Sequence, residues 1–135
     1  GYGLVEGVGD WDPIAEALLA PSLDDVTHER GRMFRSFADR TRSDRLALAA
    51  CIQANRQEPS REAIAALDVP TLIAVGTKDD IAGSADKLAQ LMPDAEALAL
   101  EGRDHMLAVG DRNFKAAVLR FLAERGFTPD ASSFN

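Results

Sequence analysis

The sequence lacks several features that mark whole classes of protein. It has a single cysteine, Cys51, which excludes an internal disulfide and any metal site built from several cysteine ligands. Its densest apolar run, Leu46 to Ile52, is far shorter than the roughly 18 residues that a membrane helix needs. Basic residues are scattered among acidic ones and the net charge is −7, which argues against nucleic-acid binding. We therefore expect a cytoplasmic protein with no membrane segment and with Cys51 as a small buried thiol.

The first residues also lack a start signal. The chain opens on Gly1-Tyr2-Gly3, with no initiator methionine and no signal-like segment. Four glycines lie among apolar residues in positions 1–10, which predicts a strand end followed by a loop. We expect this sequence to be an internal piece of a longer product.

Residues 11–58 have a helical pattern. Asp12 predicts the N-cap of one helix, Ser22 caps a second that begins near Leu23, and a third helix follows Ser43. The third predicted helix has its own apolar residues on nearly every side, so we expect it to pack against neighbours on more than one side. No strand pattern separates the three helices, and the region is predicted to be an inserted or covering helical layer.

Residues 59–127 alternate between helix and strand patterns. The predicted order is a short helix capped by Ser60 with Ile64 and Leu67 inward, a strand at Thr71–Val75, a crossover helix at residues 84–92, a strand at Glu96–Leu100, and a helix capped by Asp111. A polar tail follows at residues 128–135 and is expected to be frayed. The pattern predicts an α/β protein with parallel strands flanked by helices. Two such strands make a poor sheet, so we expect further strands from another polypeptide.

Each predicted strand ends at a glycine that is followed by a chemically useful side chain. Asp79 comes three residues after Gly76, and His105 comes three residues after Gly102. Because the carboxyl ends of parallel strands meet at one edge of a sheet, these side chains are expected to lie close together. A carboxylate that accepts from Nδ1 of an imidazole fixes its tautomer and prepares Nε2 to take a proton. Asp80 is the alternative acid.

Three other polar residues are interpreted as structural. Asp104 is adjacent to His105 in sequence, a poor geometry for orienting its ring, and is interpreted as a turn residue. His28 lies among charged residues and is interpreted as part of a solvated helix face. Ser84 follows Gly83 and is interpreted as a helix cap.

The two strand–turn segments resemble a known family. Leu-Asp-Val-Pro-Thr-Leu-Ile-Ala-Val-Gly-Thr-Lys-Asp at residues 67–79 and Glu-Gly-Arg-Asp-His at residues 101–105 are similar to the C-terminal half of the α/β-hydrolase superfamily. The resemblance implies that the helices before residue 58 are the cap and that residues 59–127 are the C-terminal part of the core. It also implies that His105 is the general base, that Asp79 orients it, and that no cofactor or metal is needed.

The sequence departs from the family at the nucleophile. The elbow Gly-x-Ser-x-Gly is missing from the 135 residues. The resemblance therefore implies a partner, the N-terminal half of the same hydrolase as a separate chain, and a small-molecule substrate such as a carboxylic ester. Dehalogenase, epoxide hydrolase, C–C hydrolase and cofactor-free dioxygenase chemistry remain open alternatives, and so does a non-catalytic binding module.

The resemblance also implies candidate substrate contacts. In this family the cap and the residues after the histidine commonly line the pocket, which makes Met106, Leu107 and Trp11 candidates, with Phe34 as a weaker one. Ordinary packing is an equally good interpretation of each of these apolar side chains.

Overall fold

A computed structural model describes residues 1–7, 9–54 and 58–127 of the chain. Short 3-10 turns occur at Leu23–Asp25 and Ala108–Gly110. The helices and strands are α1 (Gly3–Glu6), α2 (Asp12–Leu19), α3 (Glu29–Thr41), α4 (Arg45–Ala54), α5 (Arg61–Ala65), β1 (Thr71–Gly76), α6 (Ala85–Ala89), β2 (Ala95–Leu100) and α7 (Arg112–Glu124). The frayed tail predicted at residues 128–135 lies outside the described residues.

The chain forms two compact units. Residues 1–6 and those from 59 onward make up the first, which we call the strand unit. Residues 7–58 make up the second, which we call the helical unit.

The strand unit contains a parallel pair of strands, as the sequence predicts. Thr71 pairs with Ala95 and Gly76 pairs with Leu100, so β1 and β2 run in register over their whole length. The crossover between them contains α6, and α7 lies against both strands. The mixture of helices with a small parallel sheet confirms the coarse α/β class.

Side chains from β1, α5 and α6 form the core of the strand unit. The buried members are Ile64, Ile73, Val75, Ala85 and Leu88. Alternate residues of β1 face this core, because successive side chains of a strand point to opposite sides.

Three predicted caps of the strand unit are confirmed. The hydroxyl oxygen of Ser60 accepts from Ala63 N, and that of Ser84 accepts from Lys87 N. The carboxylate of Asp111 accepts from two amides at the start of α7. These side chains satisfy amides that have no partner within the helix itself.

Residues 3–6 form a helical turn, whereas the sequence pattern predicts a strand end. Backbone amides at Tyr2 and Gly3 donate to the carbonyls of Ser84 and Ala82, and Val5 N donates to Tyr2 O. The segment is therefore held against the loop before α6, and no partner strand is present in the described residues to draw it into the sheet.

In the helical unit, α2 packs against α3 and α4. The core of the helical unit consists of Ile14, Leu18, Ala38 and Ala49. Helix α2 starts one residue earlier than predicted. Trp11 holds the N-cap position and Asp12 is already helical, with Asp12 N donating to Asp10 Oδ1.

The second predicted helix begins later than its sequence pattern suggests. Ser22 does act as a cap, but it and Asp25 satisfy each other's backbone amides within a single 3-10 turn. Val26 is extended and ends that turn. The helix proper, α3, starts at Glu29.

Buried Arg35 links α3 to the end of α2. Its Nη1 donates to the carbonyls of Ala17, at 3.1 Å, and Ala20, at 2.7 Å. Its Nε donates to Asp39 at 2.9 Å. The guanidinium thus satisfies carbonyls at a helix end that would otherwise lack partners in the helix.

Several burial predictions are wrong. Helix α4 packs mainly on α2 with Ala49, while Leu46 is 70% exposed and Cys51 is exposed. When a helix has apolar residues on every side, its sequence does not show which side will be covered by a neighbour. In the helical unit, α4 has one main neighbour, α2, so much of its apolar surface is exposed. Leu67, predicted to point inward, is also exposed, because it follows the end of α5.

Candidate functional site

The candidate site lies where the two strands end. Gly76 and Leu100 are paired in the parallel register, so the turns that follow them start side by side. The first turn carries Asp79 and the second carries His105. The structure brings these two side chains into contact, with 2.9 Å between Asp79 Oδ2 and His105 Nδ1.

The Asp79 carboxylate is fixed by its own turn. Its Oδ1 accepts from the amides of Ile81 and Ala82, each at 2.9 Å, and its side chain is only 4% exposed. Burial raises the pKa of Asp79, but the hydrogen bonds from Ala82, Ile81 and His105 outweigh it and hold this pKa below its ordinary value of 3.8. The group is therefore ionised at neutral pH.

An ionised carboxylate can only accept hydrogen bonds, and this fixes the tautomer of His105. Nδ1 must carry the proton that Asp79 Oδ2 accepts. In the neutral ring Nε2 then carries the lone pair. The imidazole is 36% exposed, so the pair combines a buried acid with a base that is partly open to solvent.

The turn that carries His105 has its own local support. Asp104 Oδ1 accepts from Met106 N at 3.0 Å and from Leu107 N at 2.8 Å. Asp104 is therefore a turn residue, as its position in the sequence predicts. Gly102 has a φ of +70°, the left-handed conformation that glycine adopts without strain.

Hydrogen bonds join the two turns directly, one of them between backbone atoms and one to a side-chain hydroxyl. Lys78 N donates to Arg103 O at 2.9 Å, and Gly102 N donates to the hydroxyl oxygen of Thr77 at 2.8 Å. A methyl group on Gly76 would overlap the Arg103 carbonyl, with the carbonyl carbon only 2.6 Å away. The missing side chain at Gly76 is thus what lets the histidine turn approach the acid turn.

The other predicted residues are placed as follows. Asp80 is exposed, and the contact with His105 comes from Asp79. Met106 is half-buried, while Leu107 is 51% exposed and borders a shallow groove next to Arg103 and Asp111.

Two further predicted residues belong to the helical unit. Trp11 meets the ring of Phe34 edge to face, with 6.1 Å between ring centroids, beside that unit's core. This packing accounts for both aromatic rings without a ligand. His28 is exposed, as predicted, and its Nδ1 also accepts from Gly31 N at 3.1 Å, which makes it the N-cap of α3.

Sequence reasoning missed three roles around the pair. Thr77 and the Arg103 carbonyl join the two turns, and the Arg103 side chain contacts Asp111, which the sequence identified only as a helix cap. A short polar residue directly after a strand-ending glycine is the signal that could have pointed to Thr77. The reach of the Arg103 guanidinium has no local sequence signal.

The described residues contain no group of three His, Cys, Asp or Glu side chains close enough to hold a metal ion. Among the same residues, no helix has the length and apolar character to cross a membrane. Comparisons with protein-family models, with curated proteins and with solved structures find no match to this chain.

Proposed function

We propose that Asp79 and His105 are the acid and base of a hydrolytic site of the α/β-hydrolase type, acting on carboxylic esters or related acyl compounds. The observation that carries the proposal is the 2.9 Å contact between a buried carboxylate and Nδ1 of a half-exposed imidazole. Two features support it further. The pair lies at the carboxyl ends of parallel strands, and the acid precedes the histidine in the chain.

The proposed chemistry uses the two ring nitrogens differently. Nε2 of His105 takes the proton of a nucleophile's hydroxyl as its oxygen bonds to the substrate carbonyl carbon. The ionised carboxylate of Asp79 stabilises the imidazolium that forms. Nε2 then gives the proton to the leaving alcohol as its C–O bond breaks, which returns the imidazole to neutral.

The proposal requires a nucleophile and an oxyanion hole from a second segment or polypeptide. The family's elbow Gly-x-Ser-x-Gly does not occur in residues 1–135. Ser84 is an unsuitable substitute because its Oγ accepts from Lys87 N as the cap of α6. Parallel sheets are normally larger than two strands and covered on both faces, which supports additional strands beside β1 and β2.

The nucleophile decides which reaction of this fold the site performs. A serine would give acyl or C–C bond hydrolysis, whereas an aspartate would give dehalogenation or epoxide hydrolysis. Met106 and Leu107 follow His105 directly and are the proposed apolar contacts for the substrate. Trp11 is partly buried and packs against the Phe34 ring in the helical unit, which gives it a weaker claim to that role.

The test isolates the chain with whatever polypeptides accompany it. A tagged form is expressed in the source cells, and the intact masses of all co-purifying polypeptides are measured. Hydrolysis of aryl esters and labelling by a fluorophosphonate probe are then compared for the wild-type protein, His105→Ala and His28→Ala. Histidine 28 is the matched control, since it is the other histidine of the chain and caps a helix in the helical unit.

The expected result is a labelled serine on a companion segment and a loss of hydrolysis of at least about 10³-fold in His105→Ala. His28→Ala should keep both activities. Unchanged hydrolysis in His105→Ala would refute the role of His105. A preparation in which the probe labels nothing would count against a serine nucleophile and leave a non-catalytic binding module or an aspartate nucleophile, which the hydrolysis assay and the sequence of any companion polypeptide would distinguish.

A further inference from the structure

An ion pair outside the acid–histidine pair connects it to helix α7. Arg103 Nε donates to Asp111 Oδ2 at 2.6 Å, and the Asp111 side chain is almost completely buried. The other carboxylate oxygen, Oδ1, accepts from Asn113 N at 2.7 Å and from Phe114 N at 3.4 Å, at the start of α7. One carboxylate thus joins the histidine turn to the first turn of a 13-residue helix.

Arg103 also contacts the acid turn through its backbone. Its carbonyl oxygen accepts from Lys78 N, the residue before Asp79, and its own amide donates to Leu100 O at the end of β2. The same residue therefore contacts β2, the acid turn and α7, and it lies two positions before His105. A shift of Arg103 would move the histidine turn relative to Asp79.

The charges agree with this arrangement. Hydrogen bonding from Arg103, followed by that from Asn113, lowers the pKa of Asp111 below its ordinary value, so the carboxylate is ionised at neutral pH. Charge-assisted hydrogen bonds of this length are among the stronger ones in proteins. By contrast, Arg120 of the same helix pairs with Glu96 of β2 at 3.6 Å, and both of these side chains are more exposed than that of Asp111.

We propose that Arg103 is a positioning residue for His105: by binding Asp111 it holds the histidine turn at the distance from which His105 Nδ1 reaches Asp79. Arg103 acts on the ring through the backbone of residues 103–105. The proposal rests on the proposed function for its significance, but the geometry can be measured without any reaction.

The experiment observes the Nδ1 proton of His105 directly by NMR on the isotope-labelled 135-residue chain. A proton shared between an imidazole and a carboxylate resonates well downfield of the amides, and it is detectable when its exchange with water is slow. His105→Gln should remove this resonance and His28→Gln should leave it, which assigns it. Circular dichroism checks that each variant is folded.

Three substitutions then test the positioning role. Arg103→Met keeps the backbone and removes the ion pair, so exchange of the Nδ1 proton should become roughly tenfold faster, because a hydrogen bond to a charged group no longer holds the turn. Arg103→Lys should restore part of the protection. Asp111→Asn keeps Oδ1 as the helix cap and removes the charge, and should resemble Arg103→Met.

Arg120→Met is the matched control, since it removes an arginine of the same helix whose longer ion pairs, to Glu96 of β2 and to Glu124, involve partly exposed side chains. Exchange rates in Arg103→Met and Asp111→Asn that equal the rate in Arg120→Met would overturn the positioning role.

The two proposals fail in different ways. A chain that is inactive with its partner but whose His105 proton depends on Arg103 refutes only the hydrolytic function, whereas an active protein indifferent to Arg103→Met refutes only the positioning.

Discussion

Replacing Gly76 by alanine should separate the two turns of the candidate site. The backbone at Gly76 is not in the left-handed region, so the expected effect comes from space and not from backbone strain. The added methyl group would lie 2.6 Å from the carbonyl carbon of Arg103 and 3.2 Å from its Cβ. These neighbours include backbone atoms, which cannot move by rotating a side chain.

The size of the disturbance follows from ordinary contact distances. Nonbonded carbon atoms pack favourably at about 3.5–4.0 Å, so the turns must separate by roughly 1 Å. The hydrogen bond from Lys78 N to Arg103 O, now 2.9 Å, would lengthen beyond its normal limit. Overpacking and one lost hydrogen bond together should reduce the free energy of unfolding by about 2–4 kcal/mol.

Two other glycines of the same region are the controls. Gly110 has open space around it and no left-handed backbone, so Gly110→Ala should change the unfolding free energy by less than about 0.5 kcal/mol. Gly102 also has open space but a φ of +70°, so Gly102→Ala should cost roughly 1–2 kcal/mol through strain. The three variants therefore separate crowding, strain and the mere addition of a methyl group.

Urea unfolding at neutral pH, followed by circular dichroism, measures the three free energies. The low-field proton of His105 then reports whether the acid–histidine contact survives. Gly76→Ala should lose that resonance, because a displacement of 1 Å applied to the 2.9 Å contact exceeds hydrogen-bonding distance. A Gly76→Ala variant as stable as Gly110→Ala, with the resonance intact, would refute the reasoning.

The acid–histidine pair and the helical unit each give a further prediction. Because its pKa lies below 3.8, ionised Asp79 stabilises the fold fully above about pH 5, and this contribution is lost as the pH falls through the lower folded value. Asp79→Asn should therefore be less stable than wild type at pH 7, with a difference that shrinks below about pH 4 in acid unfolding experiments; a constant difference would contradict the assignment. Arg35→Met leaves the Ala17 carbonyl without its arginine donor, removes the shorter hydrogen bond to Ala20 O, and should cost about 2–3 kcal/mol in urea unfolding. Arg45→Met removes longer contacts from the same partners, Asp39 and Ala20, and should cost less than about 1 kcal/mol, so equal losses would exclude a special role for Arg35.

Local signals in the sequence were sufficient to predict where most helices and strands of the strand unit begin or end. Ser60, Ser84 and Asp111 cap helices because a short polar side chain can reach an amide two or three residues further on, and that reach depends only on local geometry. The contact between Asp79 and His105 could also be predicted, because parallel strands bring their carboxyl ends together.

Features that depend on tertiary neighbours could not be predicted in this way. Cys51 and Leu46 lie in a helix with apolar residues on every side, and the position of α2 covers Ala49 while it leaves both of them exposed. His28 caps α3 through an imidazole nitrogen, a role for which serine, threonine, aspartate and asparagine are the usual signals. The bond from Arg103 to Asp111 spans eight residues and depends on where α7 starts relative to the turn.

Several contacts within the strand unit support the geometry of the acid–histidine pair. Two amides of its own turn hold Asp79, and Asp104 shapes the turn that carries His105. Gly76 and Lys78 hold those turns together. All of these contacts lie within residues 76–106 of the strand unit. Any partner of the proposed site must then supply a nucleophile at Nε2 of an imidazole that is already oriented, and catalysis benefits from such preorganisation because little ordering remains to be done during the reaction.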